Sequence, residues 1–166
     1  MTVLEAPVDR FHTFTGVSFA GVACAQKFAD FYVWEAILND RAGVDPSGVP
    51  RLNAIIELGT FKGGFSLYLA AQAHARGMSF RTYDVIKPDR QIPGFVQLEI
   101  FAKANAIGEH MKRHDPGIVL CAGGNKPREL RLFSPYLGAN SVIAVHDWND
   151  EIFEDDVDDV FVKDLH

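Results

Sequence analysis

The feature that most constrains the fold of this 166-residue chain is a glycine-rich turn between an apolar segment and a helix-forming one. The segment reads Ile55-Ile56-Glu57-Leu58-Gly59-Thr60-Phe61-Lys62-Gly63-Gly64. An apolar run that ends at a glycine is typical of a buried strand followed by a sharp turn. Gly63 and Gly64 then allow the backbone to approach a ligand closely at a helix N-terminus. The segment therefore predicts a strand-to-helix nucleotide-binding turn.

The spacing of the turn narrows the kind of ligand. It reads Glu-x-Gly-x-x-x-Gly-Gly, which differs from the Gly-x-Gly-x-x-Gly pattern of dinucleotide-binding proteins. Glu57 would repel a pyrophosphate and suits a ligand with a cationic or amino group. Asp84 ends the next predicted strand, where a carboxylate can accept hydrogen bonds from both hydroxyls of a ribose. The alternative is a plain βα turn in which Asp84 caps a helix or a turn.

Strand-like and helix-like segments alternate along the rest of the chain. Strands are predicted at Asn53–Leu58, Ser79–Val85, Phe95–Phe101, Gly117–Ala122 and Ser141–His146, with a helix start as the alternative for Phe95–Phe101. Helices are predicted at Val17–Asn39, Gly64–Arg76, Ala102–His114 and Lys126–Leu137. This order predicts an α/β fold, with a doubly wound, Rossmann-like, mostly parallel sheet covered by helices on both faces.

The carboxyl ends of the predicted strands define the expected site. Open α/β sheets bind ligands in the crevice at that edge. The segments Glu57–Gly64, Cys121–Asn125 and His146–Asn149, together with Asp84, are therefore expected along one edge of the sheet.

Charge is distributed unevenly along the chain. Residues 1–146 hold 15 Lys/Arg and 13 Asp/Glu, a net charge of +2, whereas residues 147–166 hold one lysine and nine acids, a net charge of −8. A near-neutral body attracts nucleic acid only weakly, so no nucleic-acid partner is expected. The acidic stretch is predicted to be a solvated face.

Two compositional features indicate a cytoplasmic protein without a membrane partner. No apolar run approaches the roughly 20 residues that span a bilayer. Met1–Arg10 lacks the basic-then-apolar pattern of a signal peptide. Cys24 and Cys121 have no motif spacing and are expected to be reduced core residues.

The ordered motifs resemble those of class I S-adenosylmethionine-dependent methyltransferases, in the branch of cephalosporin hydroxylase-like and rhamnosyl O-methyltransferase-like proteins. Glu57–Gly64 is similar to the first motif of that family, and Asp84 matches its acidic residue after the second strand. Val119–Lys126, Phe133–Leu137 and Val142–Asp147 resemble its fourth strand, the helix that follows and its fifth strand. The resemblance extends from Asn53 to Asp147.

This resemblance implies an S-adenosylmethionine site. The residues that it assigns to the cofactor are Glu57, Gly59, Thr60, Phe61, Gly63, Gly64, Asp84 and Gly123. Glu57 and Gly59 would lie near the methionine part, and Asp84 would hold the ribose. In metal-dependent members, carboxylates after strands four and five bind a divalent ion such as Mg²⁺ that orients a substrate hydroxyl. Asp147 matches the second position, but Ala122 stands where the first acid is expected, which disfavours a metal.

His146 and Asp147 are the candidate catalytic residues in the absence of a metal. A histidine at the carboxyl end of a strand could take a proton from an attacking hydroxyl. The alternative is a hydrogen-bonded histidine of the core or rim. Trp148 is interpreted as a pocket wall, a stacking surface or a packing residue. Lys126 and Arg128, at a helix start, are interpreted as contacts to an anionic substrate or as exposed helix charges.

One S-adenosylmethionine-binding domain is expected over residues 1–166. It comprises an N-terminal helical cap (1–50), a Rossmann-like core (51–147) and an acidic amphipathic C-terminal segment (148–166). A full methyltransferase fold has two more strands after strand five, and the C-terminal segment leaves no room for them. Strand five would then be an uncovered sheet edge, which a homodimer or the acidic helix would cover. A truncated chain and a pared-down natural fold are the other interpretations.

Three functions are compatible with these patterns. The first is methyl transfer from S-adenosylmethionine to an oxygen of a small-molecule substrate, aided by His146 or Asp147. The second is a cofactor-binding domain without catalysis, which Ala122 and the short C-terminal segment favour. The third, an NAD-linked oxidoreductase, is disfavoured by the spacing of the glycines.

Overall fold

A computed structural model describes residues 17–44, 46, 48, 51–147 and 150–161. Its strands are β1 (Ser18–Phe19), β2 (Val22–Ala23), β3 (Ala54–Leu58), β4 (Ser79–Asp84), β5 (Phe95–Gln97), β6 (Gly117–Cys121) and β7 (Val142–Val145). Its helices are α1 (Phe28–Arg41), α2 (Gly64–Ala75), α3 (Ala104–Arg113), α4 (Lys126–Phe133) and α5 (Glu154–Phe161), with a 3₁₀ turn at Ser134–Tyr136.

Five of these strands form one parallel sheet in the order β5-β4-β3-β6-β7. The fold is therefore the α/β, Rossmann-like fold that the alternation of segments predicts. The chain moves outward from β3 to β4 and β5, then returns to place β6 on the opposite side of β3. Strand order thus reverses between β3 and β6, the point at which open α/β sheets bind ligands.

The two faces of the sheet bury separate apolar cores. Neighbouring residues of a strand point to opposite faces, so Ile55 and Ile56 of β3 belong to different cores. Ile55 packs with residues of α1 and α2, among them Trp34, Leu38, Phe65 and Leu69. Ile56 packs with residues of α3 and α4, among them Ile107, Met111 and Phe133. This two-sided burial explains why β3 and β6 are almost continuously apolar.

The N-terminal part differs from the prediction of one helix over Val17–Asn39. An antiparallel hairpin of β1 and β2 comes first, and α1 begins only at Phe28. Ala20 and Gly21 have φ values of 50° and 75°, which a tight hairpin turn requires. Phe19 of the hairpin packs its ring 5.7 Å from that of Tyr68 on α2. The hairpin and α1 both bury apolar residues against α2, so the spacing of apolar residues along Val17–Asn39 resembles that of one amphipathic helix.

From Asn53 to His146 the predicted elements are confirmed with small shifts in their bounds. The strand interpretation of Phe95–Phe101 holds only for Phe95–Gln97. The predicted helix Lys126–Leu137 is α-helical only to Phe133 and then tightens into the 3₁₀ turn. Pro135 lies in that turn and has no N–H to continue the α-helical bonding pattern.

The C-terminal segment supplies one amphipathic helix, α5, as predicted for its described part. Its Asp156 pairs with Arg131 of α4 at 2.8 Å. The prediction that the acids form only a solvated face is therefore wrong in part. Trp148 and residues 162–166 lie outside the described residues. Within the described sheet β7 is an edge strand, and a homodimer that covers it stays a prediction.

Two further sequence expectations can be compared with the structure. Cys24 and Cys121 are both buried free thiols, which confirms the interpretation as core residues. Among the described helices, none combines the length and apolar character needed to cross a bilayer.

Candidate functional site

Two adjoining cavities lie where the strand order reverses. The larger has a volume of about 660 Å³ and the smaller about 50 Å³. Five residues line both of them, namely Ala25, Gly59, Phe61, Ala122 and His146. The larger cavity also has Asp84, Gly123 and Asp147 on its wall, and the smaller has Glu57, Thr60, Gly63 and Gly64. The fold thus brings all the sequence-predicted site residues to one connected region of a size that suits a nucleoside.

Gly59 follows β3 and packs closely against the backbone that follows β6. Its φ of 99° is unfavourable for other residues. A Cβ added there would lie 2.7 Å from the carbonyl carbon and oxygen of Ala122. Gly64 is equally confined, because an added Cβ would overlap the carbonyl of Val22 in the β1–β2 hairpin. The glycines therefore let the turn fit between the neighbouring strand and the hairpin, and both positions border the cavities.

Asp84 holds the turn in place. One oxygen of its carboxylate accepts hydrogen bonds from the backbone N–H groups of Thr60 and Phe61, both at 2.9 Å. The other oxygen accepts from the N–H of Ile86 at 2.9 Å. Phe61 has a φ of 52°, a left-handed conformation that a phenylalanine rarely adopts without such support. The turn-cap interpretation is confirmed by these contacts, while a contact from Asp84 to a ribose stays a prediction.

Glu57 is a buried acid beneath the turn, with a side chain that is almost inaccessible to water. Ser66 donates its hydroxyl hydrogen bond to Glu57 Oε2. Burial raises the pKa of Glu57 to about 7, although hydrogen bonds from Ser66 and Thr82 oppose that rise. Because Glu57 also lines the smaller cavity, a cationic group bound there would favour its ionised form.

His146 is hydrogen-bonded through both ring nitrogens. Its Nδ1 lies 2.6 Å from Asp147 Oδ2, and its Nε2 lies 3.4 Å from the amide nitrogen of Gln26. An amide N–H₂ only donates, so Nε2 is the acceptor nitrogen and Nδ1 carries the proton that is donated to Asp147. In this tautomer the lone pair of Nε2 is the basic site of the ring, and the Gln26 amide, which lines the smaller cavity together with His146, donates to it.

Asp147 is also bonded to a buried lysine. Lys126 Nζ lies 3.1 Å from Asp147 Oδ2 and contacts Glu151 Oε2 as well. Burial alone would raise the pKa of Asp147, but the hydrogen bonds and charges of His146 and Lys126 outweigh it and hold the pKa below its ordinary value. Asp147 has a φ of 63°, so its backbone adopts a left-handed conformation at the cavity wall.

Glu129 is a second buried acid on the wall of the larger cavity. Its Oε2 accepts the N–H of Gly123 at 3.2 Å, while its Oε1 is buried without a hydrogen-bond partner. Burial raises the pKa of Glu129 to about 7. A Cβ at Gly123 would overlap the Glu129 carboxylate, so Gly123 is required for this packing rather than for a ligand contact alone.

The donor set does not suit a hard divalent cation. Such a cation needs several oxygen ligands. In the part of the chain that the structure describes, no three His, Cys, Asp or Glu side chains group as metal ligands would. Asp147, the predicted metal ligand, is paired with the ammonium of Lys126, and Ala122 supplies no carboxylate.

Three site residues are missing from the sequence-based set, Gln26, Glu129 and Glu151, whereas Lys126 is interpreted there as a contact to an anionic substrate or as an exposed helix charge. The prediction of an exposed helix charge is confirmed for Arg128, whose guanidinium lies 4.1 Å from the ring centre of Phe101. It is wrong for Lys126, whose side chain is only 3% exposed. A signal for Lys126 was present in the excess of acids from Asp147 onward, because a buried ammonium needs carboxylates.

A scan against models of protein families found no match to this chain, and a search of curated proteins found none either.

Proposed function

We propose that this chain binds S-adenosylmethionine and transfers its methyl group to an oxygen of a small molecule. The observation that carries the proposal is the meeting of three features at the reversal of strand order. These are the glycine turn after β3, the carboxylate of Asp84 after β4 and the His146–Asp147 pair after β7. The resemblance in sequence assigns a cofactor role to the first two, and the chemistry of a histidine beside a carboxylate suits the third to accept a proton.

The cavity walls provide complementary chemistry for such a cofactor. Glu57 faces the smaller cavity and would receive the amino group of the methionine part. Asp84 lines the larger cavity, where the lone pair that remains on its Oδ1 would accept a ribose hydroxyl. Val85 and Ile86 are 51% and 69% exposed on the same wall, beside Ile100, and present apolar surface for an adenine ring. S-adenosylmethionine, when bound, supplies an electrophilic methyl group.

His146 would act as the base. Its Nε2 would accept the proton of the acceptor hydroxyl, and its Nδ1–H would keep its hydrogen bond to Asp147. Asp147 stabilises the imidazolium that forms, as in other His–Asp pairs. The main contribution of the chain is to align the hydroxyl oxygen with the methyl carbon, since proximity supplies much of the rate enhancement in such transfers.

A domain that binds the cofactor without catalysis is the second candidate. Gln26 lies against the Nε2 of His146 at 3.4 Å, so the base is already engaged when no acceptor is bound. Ala122 also stands on the cavity wall at the position where the family that this chain resembles has an acid, so the wall has one polar group fewer there. Under this interpretation the cavity binds the nucleoside and no acceptor displaces the Gln26 amide.

Calorimetric titration distinguishes the candidates. The full chain is titrated separately with S-adenosylmethionine, S-adenosylhomocysteine and NAD. Binding of both methionine nucleotides, with no heat from NAD, is expected. If neither methionine nucleotide binds, the proposal is wrong, and binding of NAD alone would favour the oxidoreductase. Turnover is then followed with S-[methyl-³H]adenosylmethionine over a panel of hydroxylated small molecules. Binding without transfer to any acceptor would favour the second candidate.

A further inference from the structure

Lys126 is the first residue of α4, yet its side chain is only 3% exposed. Its ammonium lies between Asp147, at 3.1 Å, and Glu151. Removing an ammonium from water is costly unless it is paired and hydrogen-bonded, so the two carboxylates compensate for the burial of the Lys126 ammonium and form a binding position for a cation. Lys126, Asp147 and Glu151 all line the larger cavity. The cation is therefore part of the wall of the candidate site rather than a surface charge.

We infer that the ammonium of Lys126 occupies the position of a divalent cation at this site, so that the pocket operates without a bound metal. The catalytic consequence of this inference rests on the proposed function, whereas the replacement of a metal ion by the ammonium does not. Lys126 balances the charge of Asp147 and Glu151, as a metal ion would. Because the ammonium is covalently part of the chain, a chelator cannot remove it.

The consequence for the reaction passes through Asp147. Oδ2 of Asp147 contacts both Lys126 Nζ at 3.1 Å and His146 Nδ1 at 2.6 Å. The ammonium fixes the orientation of the carboxylate, and the carboxylate in turn fixes the tautomer of His146. Lys126 is thus a positioning residue, since it acts on His146 only through Asp147.

Binding of Mn²⁺ tests the inference without any turnover. Electron paramagnetic resonance of free Mn²⁺ is measured at neutral pH with the full chain and four variants: Lys126→Arg, Lys126→Ala, Asp147→Asn and the double variant Lys126→Ala/Asp147→Asn. The wild type and Lys126→Arg, which keep the positive charge, are expected to bind no Mn²⁺ at this site. Lys126→Ala leaves Asp147 and Glu151 without their ammonium partner and should gain one site with a dissociation constant of about 0.1–1 mM, the range of weak carboxylate sites. The double variant Lys126→Ala/Asp147→Asn should lose it.

A second measurement uses the space left by the lysine. Propylammonium chloride should raise the melting temperature of Lys126→Ala more than an equal concentration of sodium chloride does. For the wild type and for Arg128→Ala, the two salts should have the same effect on the melting temperature. Arg128→Ala is the matched control, because it removes a neighbouring cation on the exposed face of α4.

Three outcomes would overturn the inference. In the first, the wild type binds Mn²⁺ and Asp147→Asn abolishes that binding. In the second, Lys126→Ala folds but gains no Mn²⁺ site. In the third, propylammonium raises the melting temperatures of Lys126→Ala and Arg128→Ala equally. The first of these needs no Lys126 variant and applies even if Lys126→Ala fails to fold. A chain that shows the expected Mn²⁺ pattern but binds no methionine nucleotide would contradict the proposed function alone.

Discussion

The carboxylate of Asp84 accepts the backbone N–H of Thr60 at 2.9 Å, so the acid that ends β4 fixes the turn that follows β3. The same oxygen also accepts from Phe61, and the other oxygen accepts from Ile86. Removal of Asp84 would therefore alter the turn whether or not the carboxylate touches a ligand. A loss of affinity in an Asp84 variant does not by itself identify a ribose contact.

Asp84→Ala should lower the free energy of unfolding by about 2–4 kcal/mol, since hydrogen bonds to a charged group are among the stronger ones and the variant loses three of them, two from the turn and one from Ile86. Urea denaturation measures the change. Asp89 is an exposed acid on the wall of the same cavity, and Asp89→Ala should change stability by less than about 0.5 kcal/mol. Equal losses in the two variants would contradict the turn-holding role.

A ribose contact from Asp84 should appear as a dependence on the hydroxyls of the ligand. The wild type should bind S-adenosylhomocysteine at least about tenfold more tightly than its 2′,3′-dideoxy analogue, as expected for hydrogen bonds to a carboxylate. In Asp84→Asn the two ligands should differ less. Calorimetry with both ligands and both proteins completes the cycle. An equal preference in wild type and variant would show that another group contacts the ribose.

The buried acid Glu57 should make stability fall as the pH rises. Its pKa of about 7 in the folded chain lies above its ordinary value of 4.5, so between these pH values the folded chain holds a proton that the unfolded chain releases. The resulting stabilisation is complete below pH 4.5 and is lost as the pH rises through 7, so the free energy of unfolding falls by about 3 kcal/mol in total. Urea denaturation of wild type and Glu57→Gln at several pH values measures it, and a constant difference between the two would disprove the shift.

Local burial explains which parts of the fold could be predicted from the sequence. Residues Ile55 to Leu58 and Ile118 to Cys121 face a core on both sides of the sheet, so their apolar runs are unambiguous. The hairpin of β1 and β2 has only two residues in each strand, too few for an alternating pattern to be distinguished from a helical one. Its aromatic spacing matched a helix, and tertiary packing on α2 decided the outcome.

The candidate site shows a similar division. Glu57 through Gly64 were found because a turn is a local arrangement of the chain, and the cavities border them. The partners of Lys126 lie 21 and 25 residues further along, after β7, and no local pattern connects them. The same holds for Gln26, which reaches His146 across 120 positions. Long-range pairs of this kind need the fold before they can be assigned.

Gly59→Ala should destabilise the chain more than Gly77→Ala does. Both glycines have positive φ values, 99° and 68°, so both substitutions strain the backbone. Only at Gly59 would the new methyl group overlap backbone atoms, those of Ala122, whereas nothing lies within 4 Å of the Cβ position at Gly77. An additional loss of about 1–3 kcal/mol in unfolding free energy is expected for Gly59→Ala, as for other overpacked sites. Comparable losses would mean that β6 moves away from the turn at little cost.

The final prediction separates binding from catalysis at His146. His146→Gln removes the base but keeps a polar side chain beside Asp147, so the transfer rate should fall by more than about 100-fold, as for other general bases. Affinity for S-adenosylhomocysteine should change by less than about threefold, because Glu57 and Asp84 are left in place. Single-turnover transfer and calorimetry measure the two quantities. His74, exposed on α2 and outside both cavities, provides the control His74→Gln. A variant that loses affinity and rate in equal proportion would indicate that His146 holds the cofactor rather than the proton.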